Sequence, residues 1–120
     1  METILLAEDH EAVRRCLTKI LHGEGYTVLG VDRGTKALRL WERHEGPIHL
    51  LLTDVRMPEM DGMELARRIR AEQPTIPILY MSADPGPTLL PTWGCDSKTA
   101  FLLKPFTPEV LKHTVQKLLA

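Results

Sequence analysis

The stretch HLLLTDVRMPEMDG, residues 49–62, contains the strongest fold signal in the chain. Its first part, residues 49–53, is mostly apolar and predicts a short strand, and residues 4–7 form a similar apolar run, as expected for a strand buried on both faces of a sheet. Asp54 follows at the end of that strand, and the proline and glycine after it predict a loop. A buried strand that ends in a carboxylate and a loop is typical of a parallel sheet, whose ligand crevice lies at the carboxyl ends of the strands.

Similar short apolar runs extend this pattern in both directions along the chain. We predict four further strands, at residues 4–7, 26–31, 77–81 and 100–103. Segments of helical period separate most of them, and Gly, Pro or Asp marks most of the junctions. This alternation predicts an α/β fold.

Two of the predicted helices begin with capping signals. Asp61, with Glu64 three residues later, resembles a capping box at the start of the third helix. Thr107 followed by Pro108 predicts an N-cap with proline at the first position of the last helix. The first helix is recognised instead by an apolar stripe, which consists of Ala12, Val13, Cys16, Leu17, Ile20 and Leu21.

Residues 83–98 interrupt the alternation. Proline costs about 3 kcal/mol inside a helix, so a long fourth helix is not expected between the fourth and fifth strands. At most one or two turns fit, around residues 88–93, and we predict that the rest is irregular or mobile. The segment contains Pro85, Gly86, Pro87, Pro91 and Gly94.

The predicted architecture is a single domain, residues 1–120, of the α/β class. It is a doubly wound five-stranded parallel sheet with an irregular or shortened fourth helix. Right-handed crossovers place the helices on both faces of such a sheet. One sequence does not fix which strands are neighbours, but a flavodoxin-like order 2-1-3-4-5 is expected, with the site at the carboxyl ends of the strands.

Composition and charge exclude several function classes. Fifteen Lys and Arg against sixteen Asp and Glu give a formal net charge of -1, which provides no broad basic surface for direct nucleic-acid binding. No apolar run approaches the roughly 20 residues that cross a bilayer, and Glu8 and Asp9 interrupt any signal peptide. We therefore expect a cytoplasmic protein without membrane insertion. Cys16 and Cys95 lack metal or disulfide spacing and are expected to be reduced.

Polar residues gather where the predicted strands end. Glu8 and Asp9 follow the first strand, Asp54 the third, Ser82 the fourth and Lys104 the fifth. Three crowded carboxylates repel one another and raise at least one pKa unless a cation neutralises them, and their oxygens favour Mg2+, with Mn2+ as the alternative. A lysine and a hydroxyl suit phosphate oxygens, and a carboxylate can accept a phosphoryl group. The pattern therefore predicts aspartyl phosphorylation.

Five short sequence elements follow one another along the chain, and they are Glu8-Asp9, Thr53-Asp54, Met57-Pro58-x-Met60-Asp61-Gly62, Met81-Ser82-Ala83 and Lys104-Pro105-Phe106. Together they resemble the response-regulator receiver family of two-component phosphorelay signalling. Each element alone is weak, but five of them at successive strand ends form a specific signature that covers essentially the whole chain. The resemblance implies a phosphoacceptor switch, not an enzyme with a separate substrate, that assists its own phosphorylation and slow autodephosphorylation.

The resemblance implies roles for the acidic residues. Asp54 would accept a phosphoryl group from the phosphohistidine of a histidine kinase or histidine phosphotransfer domain. Asp9 and Asp54 would bind Mg2+ directly and Glu8 would act through water, while the backbone carbonyl of Arg56 would supply a further ligand. His10 adjoins the acidic pair, but no second His or Cys has the spacing of a zinc site, so His10 is not counted among the ligands.

The resemblance also implies a conformational output. Ser82 would bond the phosphoryl group and Lys104 would pair with it, and the peptide bond between Lys104 and Pro105 is expected to be cis. Movement of Ser82 toward the phosphate would open space into which Phe101 rotates. Because Phe101 lacks the hydroxyl of a tyrosine, no hydrogen bond of its own stabilises the inward rotamer.

Arg56 and Asp84 each lie two residues beyond a predicted site residue and carry opposite charges. We hypothesise that they pair across the mouth of the site and slow hydrolysis of the phosphoaspartate by gating water. A charge-neutral Arg56 variant with an unchanged dephosphorylation rate would contradict this hypothesis.

Two other functions remain open at this point. A pseudo-receiver would keep the fold but bind neither Mg2+ nor phosphate, and the intact acidic residues argue against it. A small phosphatase with an aspartyl-phosphate intermediate usually carries a second acid two residues after the nucleophile, where this chain has Arg56.

The output of the switch is expected to pass to a downstream protein or a covalently linked output domain, because no output segment follows the last helix. The run LLTDV, residues 51–55, looks like that of a hybrid kinase. This likeness favours a domain of a longer protein over a stand-alone regulator.

Overall fold

Strands and helices alternate in the computed structural model, which describes residues 2–83 and 97–120. The described part contains five strands and four helices. In chain order they are β1 (Thr3–Ala7), α1 (Glu11–Gly23), β2 (Thr27–Val31), α2 (Gly34–Arg43), β3 (Leu50–Asp54), α3 (Gly62–Glu72), β4 (Ile78–Ser82), β5 (Thr99–Leu103) and α4 (Pro108–Leu119). All five predicted strands are present, with bounds shifted by one residue at most ends.

The five strands form one sheet in the order β2-β1-β3-β4-β5, and every neighbouring pair is parallel. The predicted doubly wound, flavodoxin-like order is therefore confirmed. The register aligns the carboxyl ends of the strands, since Asp54 is opposite Met81 and Ser82 is opposite Leu103. This alignment brings the residues that follow each strand to one edge of the sheet.

Each face of the sheet carries its own buried core. Leu51 packs in the cluster that includes Leu65 and Ile69 of α3, whereas Leu50 and Leu52 pack in the cluster that includes residues of α1 and α4. Successive side chains of a strand point to opposite faces, so a strand covered on both sides needs apolar residues at every position. This explains why β3 is a continuous apolar run in the sequence and not an alternating one.

The predicted N-caps are confirmed, but only half of the capping box forms. Asp61 Oδ1 accepts the N–H of Glu64 at 2.8 Å, and Thr107 Oγ1 accepts the N–H of Val110 at 3.1 Å. The Glu64 carboxylate does not return the bond to Asp61. It accepts hydrogen bonds from the guanidinium groups of Arg67 and Arg68 instead, because these lie one turn further along the exposed face of α3.

The apolar stripe of α1 is only partly buried. Leu17 and Leu21 are buried, whereas Ala12 and Cys16 are exposed. The uncovered residues line an apolar groove of about 430 Å³ between α1 and the start of α4, which we call the α1 groove. Its other walls are formed by Val13, Leu17, Ile20, Lys104, Pro105, Phe106 and Pro108.

Most of the segment predicted to be irregular lies outside the described residues, because residues 84–96 are not among them. The predictions for Asp84 and Cys95 therefore stay predictions. The longest described helix, α1, has 13 residues, and no described helix is long and apolar enough to cross a bilayer.

Candidate functional site

The sheet edge brings together three charged side chains that are far apart in the sequence. Lys104 Nζ donates to Glu8 Oε1 at 2.7 Å and to Asp54 Oδ1 at 2.6 Å. Glu8 follows β1, Asp54 ends β3, and Lys104 reaches back from the end of β5, two strands away from β3. Strands are about 4.8 Å apart, so only a side chain as long as lysine spans this distance.

The turn after β5 fixes the backbone position of Lys104. The N–H of Lys104 donates to the carbonyl of Ser82 at 2.8 Å, which extends the β4–β5 ladder by one residue. The peptide bond between Lys104 and Pro105 is cis, as the resemblance implied. These two features hold the backbone of Lys104 at the carboxyl edge of the sheet.

Both acids of this group are buried. Glu8 is 0% exposed and Asp54 is 5% exposed, while the Lys104 side chain retains 23%. A buried charge without a partner is costly, so the ammonium group stabilises two carboxylates at once. One cation against two buried acids leaves the group with an excess of negative charge when both acids are ionised.

That excess appears in the pKa values of the two acids. Burial and the hydrogen bond with Glu8 raise the pKa of Asp54 to about 8, against the lowering effect of Lys104. Burial also acts to raise the pKa of Glu8, but hydrogen bonds with Asp54, Lys104 and the His10 N–H outweigh it and lower the value. Without a bound cation, the raised pKa therefore favours the protonated form of Asp54 near neutral pH. The direction of this shift agrees with the raised pKa expected for crowded carboxylates.

Asp54 also has a free coordination position. Its Oδ2 atom is buried and accepts no hydrogen bond from any described residue. A buried polar atom left in this state costs roughly 1–3 kcal/mol, and a bound cation would remove that cost. Asp9 lies beside Glu8 at the same strand end, so the oxygen donors fit a hard divalent cation such as Mg2+.

Several hydrogen bonds shape the turn that carries Glu8 and Asp9. The N–H of Glu8 donates to Val31 at 3.0 Å, and the N–H of His10 donates to Glu8 Oε2 at 2.9 Å. Arg14 Nη1 donates to the Glu8 carbonyl at 2.9 Å. Sequence reasoning did not identify Arg14, because no local pattern links a helical arginine to a carbonyl six residues earlier.

The loop after β3 packs tightly against the acceptor. Gly62 donates its N–H to the carbonyl of Val55 at 2.8 Å. A Cβ atom at Gly62 would overlap the backbone oxygen of Asp54, so this position requires glycine. Glu59 in the same loop adopts a left-handed backbone with φ of 71°, which is uncommon outside glycine. The motif that follows Asp54 therefore holds the acceptor backbone in place.

The remaining predicted site residues lie where the sequence suggested, but their roles stay predictions. Ser82 is half-buried at the end of β4, and Phe101 is half-buried on β5, packed against the core under α2 and α3. Arg56 is exposed in the loop after β3. The hypothesised pairing of Arg56 with Asp84 is not tested, because Asp84 lies outside the described residues.

Comparison with known proteins agrees with this geometry. The family model described as response regulator receiver domain matches residues 4–116 of the chain. The chain is 41% identical over 120 residues to the response regulator receiver protein CpdR of Brucella abortus, covering 99% of this chain and 98% of CpdR. It is 37% identical over 117 residues to the sensor kinase CckA of the same organism, covering 98% of this chain but only 12% of CckA.

Solved structures agree as well. The response regulator TrrA of Thermotoga maritima, solved in complex with Mg(2+)-BeF, matches with a TM-score of 0.85 and 30% identity, over 99% of this chain and 100% of TrrA. The family model, the relatives and the fold lead to the same assignment. The chain belongs to the response regulator receiver domain family of two-component signalling.

Proposed function

We propose that this receiver domain, residues 1–120, is a Mg2+-dependent phosphoacceptor switch in which Asp54 is phosphorylated. The observation that carries the proposal is the state of the Asp54 carboxylate. It is buried, its Oδ1 atom is bonded to Lys104, and its Oδ2 atom accepts no hydrogen bond within the described residues. A carboxylate held in this way needs further positive charge, which a cation and a phosphoryl group together bring.

The metal would be held by Asp9 and Asp54 directly, by Glu8 through water and by the carbonyl of Arg56. When bound, Mg2+ supplies positive charge to the acids and to the oxygens of the transferring phosphoryl group. It also favours the ionised form of Asp54, whose proton is otherwise retained because the pKa is raised. The relative TrrA, solved with Mg(2+)-BeF, supports the same cation for this chain.

In the transfer step, an oxygen of the ionised Asp54 carboxylate forms the new P–O bond. The P–N bond to the donor imidazole breaks, and its electron pair stays with the imidazole nitrogen of the donor. Lys104, already 2.6 Å from Asp54, offsets negative charge on the phosphoryl oxygens. Ser82 bonds the phosphoryl group, and its movement allows Phe101 to rotate inward. Hydrolysis of the phosphoaspartate then returns the switch slowly to its starting state.

The proposed donor is the phosphohistidine of a histidine kinase or histidine phosphotransfer domain. The α1 groove is the surface on which we place its docking, because Lys104 lines this groove and also binds Asp54. An apolar face next to the acceptor suits an apolar helical face that presents a histidine. The likeness to the CckA sensor kinase supports a kinase partner. The output would pass, in the cytoplasm, to a downstream protein or a linked output domain.

The first experiment measures the intact mass after incubation with acetyl phosphate and Mg2+. Wild type should gain about 80 Da, the mass of one phosphoryl group, and the gain should vanish for Asp54→Ala or with EDTA. Asp32→Asn is the matched control, since Asp32 also follows a strand but pairs with Arg33 and Lys36. No gain in wild type, even with a phosphorylated kinase, would favour a pseudo-receiver. Turnover of a generic phosphate ester would favour a phosphatase.

A further inference from the structure

The turn after β1 presents three consecutive side chains of types that can bind a metal ion. Ligand atoms of Glu8, Asp9 and His10 lie within 4.8 Å of one another. We propose that His10 is an additional ligand of the cation at this site, and that its imidazole strengthens the binding of transition cations such as Mn2+ without strengthening that of Mg2+. This inference rests on the cation site of the proposed function and concerns a residue which the sequence pattern did not include.

The backbone holds His10 in a position suited to this role. Its N–H bonds Glu8 Oε2 at 2.9 Å, and its carbonyl accepts the N–H of Arg14 at 2.9 Å at the start of α1. In an octahedral shell with bonds of about 2.1 Å, opposite ligands are roughly 4.2 Å apart. A group spanning 4.8 Å therefore closes around an ion with small side-chain rotations.

The imidazole of His10 has no competing structural task among the described residues. His10 is the N-cap residue of α1, but its side chain makes no capping hydrogen bond. Asp61 and Thr107, in the equivalent positions of α3 and α4, both cap their helices through side-chain oxygens. His10 is also exposed, so a ring nitrogen can turn toward the acids while the other bonds water.

A second, independent observation places unsatisfied ligand capacity at the same edge of the sheet. Asp54 Oδ2 is buried without a hydrogen-bond donor, and Asp54 Oδ1 and Glu8 Oε1 accept from the same Lys104 Nζ atom, at 2.6 and 2.7 Å. The acids of the turn and the acceptor carboxylate therefore form one continuous donor set. Its members come from β3 and from the turn after β1, and His10 adds the nitrogen.

The donor types decide which cation gains from the histidine. Mg2+ prefers oxygen ligands and retains waters, so an imidazole adds little to its affinity. First-row transition cations accept imidazole readily, and their affinity for mixed nitrogen and oxygen sites rises from Mn2+ toward Ni2+ and Cu2+. A set rich in carboxylates with one imidazole is thus more selective for these ions than carboxylates alone.

The test uses the full chain, freed of metal and loaded with Mn2+. Pulsed electron paramagnetic resonance should detect coupling of the Mn2+ ion to a 14N nucleus in wild type, and His10→Ala should abolish it. By calorimetry, His10→Ala should weaken Mn2+ binding about tenfold and Mg2+ binding less than about twofold. His22→Ala is the matched control, because His22 is exposed at the other end of α1 and should change neither ion.

Three results would overturn the inference. They are no nitrogen coupling in wild type, coupling that persists in His10→Ala, and equal losses of Mn2+ and Mg2+ affinity in that variant, which would mean that His10 only shapes the turn. Failure of the proposed function looks different. In that case Mg2+ supports no mass gain in any variant, whether or not the nitrogen coupling is present.

Discussion

Asp54 at the sheet edge and Glu64 on α3 form ion pairs of the same length but titrate in opposite directions. Lys104 Nζ lies 2.6 Å from Asp54, and the guanidinium of Arg67 lies 2.6 Å from Glu64. The pKa of Asp54 is nevertheless raised to about 8, whereas that of Glu64 is lowered to about 2. A short contact with a cation does not by itself decide the charge of an acid.

The difference comes from solvent and from the neighbouring charges. Asp54 is buried and shares its cation with a second acid, Glu8, so desolvation and repulsion outweigh the attraction. Glu64 remains in contact with water, and its hydrogen bonds with Arg67 and Arg68 act without opposition from another acid. The acids at the sheet edge therefore repel each other in a way that a bound cation can offset, whereas the ion pairs of α3 contain no such repulsion.

The largest expected effect comes from removing the shared cation. Lys104→Ala leaves two buried acids without a counter-charge, so we expect a loss of about 3 kcal/mol in the free energy of unfolding and a loss of phosphorylation. Urea unfolding and the intact-mass assay measure the two effects. Arg67→Ala, which removes a cation from an exposed acid, should change stability only at the limit of measurement. Equal effects of the two variants would break the comparison.

The next effect is the pH dependence that Asp54 gives to the metal-free protein. Since its folded pKa is raised, the folded state binds the proton more tightly, and this contribution to stability is lost as pH rises from about 4 through about 8. Asp54→Asn removes the charge, so its stability relative to wild type should rise by at least about 2 kcal/mol between pH 5 and pH 9. Urea unfolding of both proteins in EDTA, at pH 5 and at pH 9, measures this difference in stability.

Asp32→Asn serves as the control for that series. Asp32 follows β2 at the same edge, but its pKa is lowered by Arg33 and Lys36. Its removal should not alter the slope of stability against pH between 5 and 9. A similar gain in stability for both asparagine variants at high pH would mean that the effect comes from the net charge of the protein and not from the burial of Asp54.

A charge introduced at an exposed position of the α1 groove, which Lys104 also lines, should slow phosphoryl transfer without changing the stability of the fold. Cys16 is exposed in the α1 groove, so Cys16→Glu should fold normally. It places an ionised group on the proposed docking face, and transfer from a phosphohistidine donor should slow about tenfold, or 1.4 kcal/mol. Phosphorylation by acetyl phosphate should stay unchanged. A parallel loss with both donors would contradict the docking surface.

The smallest effect concerns Glu64 itself. Its folded pKa is lowered, so its contribution to stability is present above the ordinary value of 4.5 and lost as pH falls through about 2. Carboxyl NMR titration should find a midpoint near 2 that moves toward 4.5 in 1 M salt, because exposed pairs are screened. The Asp54 midpoint should stay high in the same salt. A salt-insensitive Glu64 would mean that its guanidinium contacts are not electrostatic.

The strand order and the central site could be predicted because both depend on strand periodicity. Once residues 49–53 are assigned to a buried parallel strand, Asp54 must lie at the edge where Glu8 and Lys104 also end. The exposure of Ala12 and Cys16 could not be predicted in this way. A helical stripe shows which side is apolar, but it does not show whether another element covers all of it.

The contacts of long side chains were the second feature that could not be predicted from the sequence. The bond from Arg14 to the Glu8 carbonyl and the pairing of Glu64 with two arginines depend on rotamers, which periodicity does not encode. The approach of His10 to Glu8 and Asp9 depends on the shape of a turn. In each case the residues were visible in the sequence, but their direction was not.

The close approach of Gly62 to the backbone of Asp54 has a consequence for protein engineering. A library that randomises the loop after β3 to alter signalling can vary Arg56 and Pro58, which are exposed. It must keep residue 62 as glycine, because any side chain there would displace the acceptor peptide or the first turn of α3. The backbone of Asp54 and the first turn of α3 pack together without an intervening side chain. A shift of the Asp54 backbone is therefore transmitted directly to the start of α3.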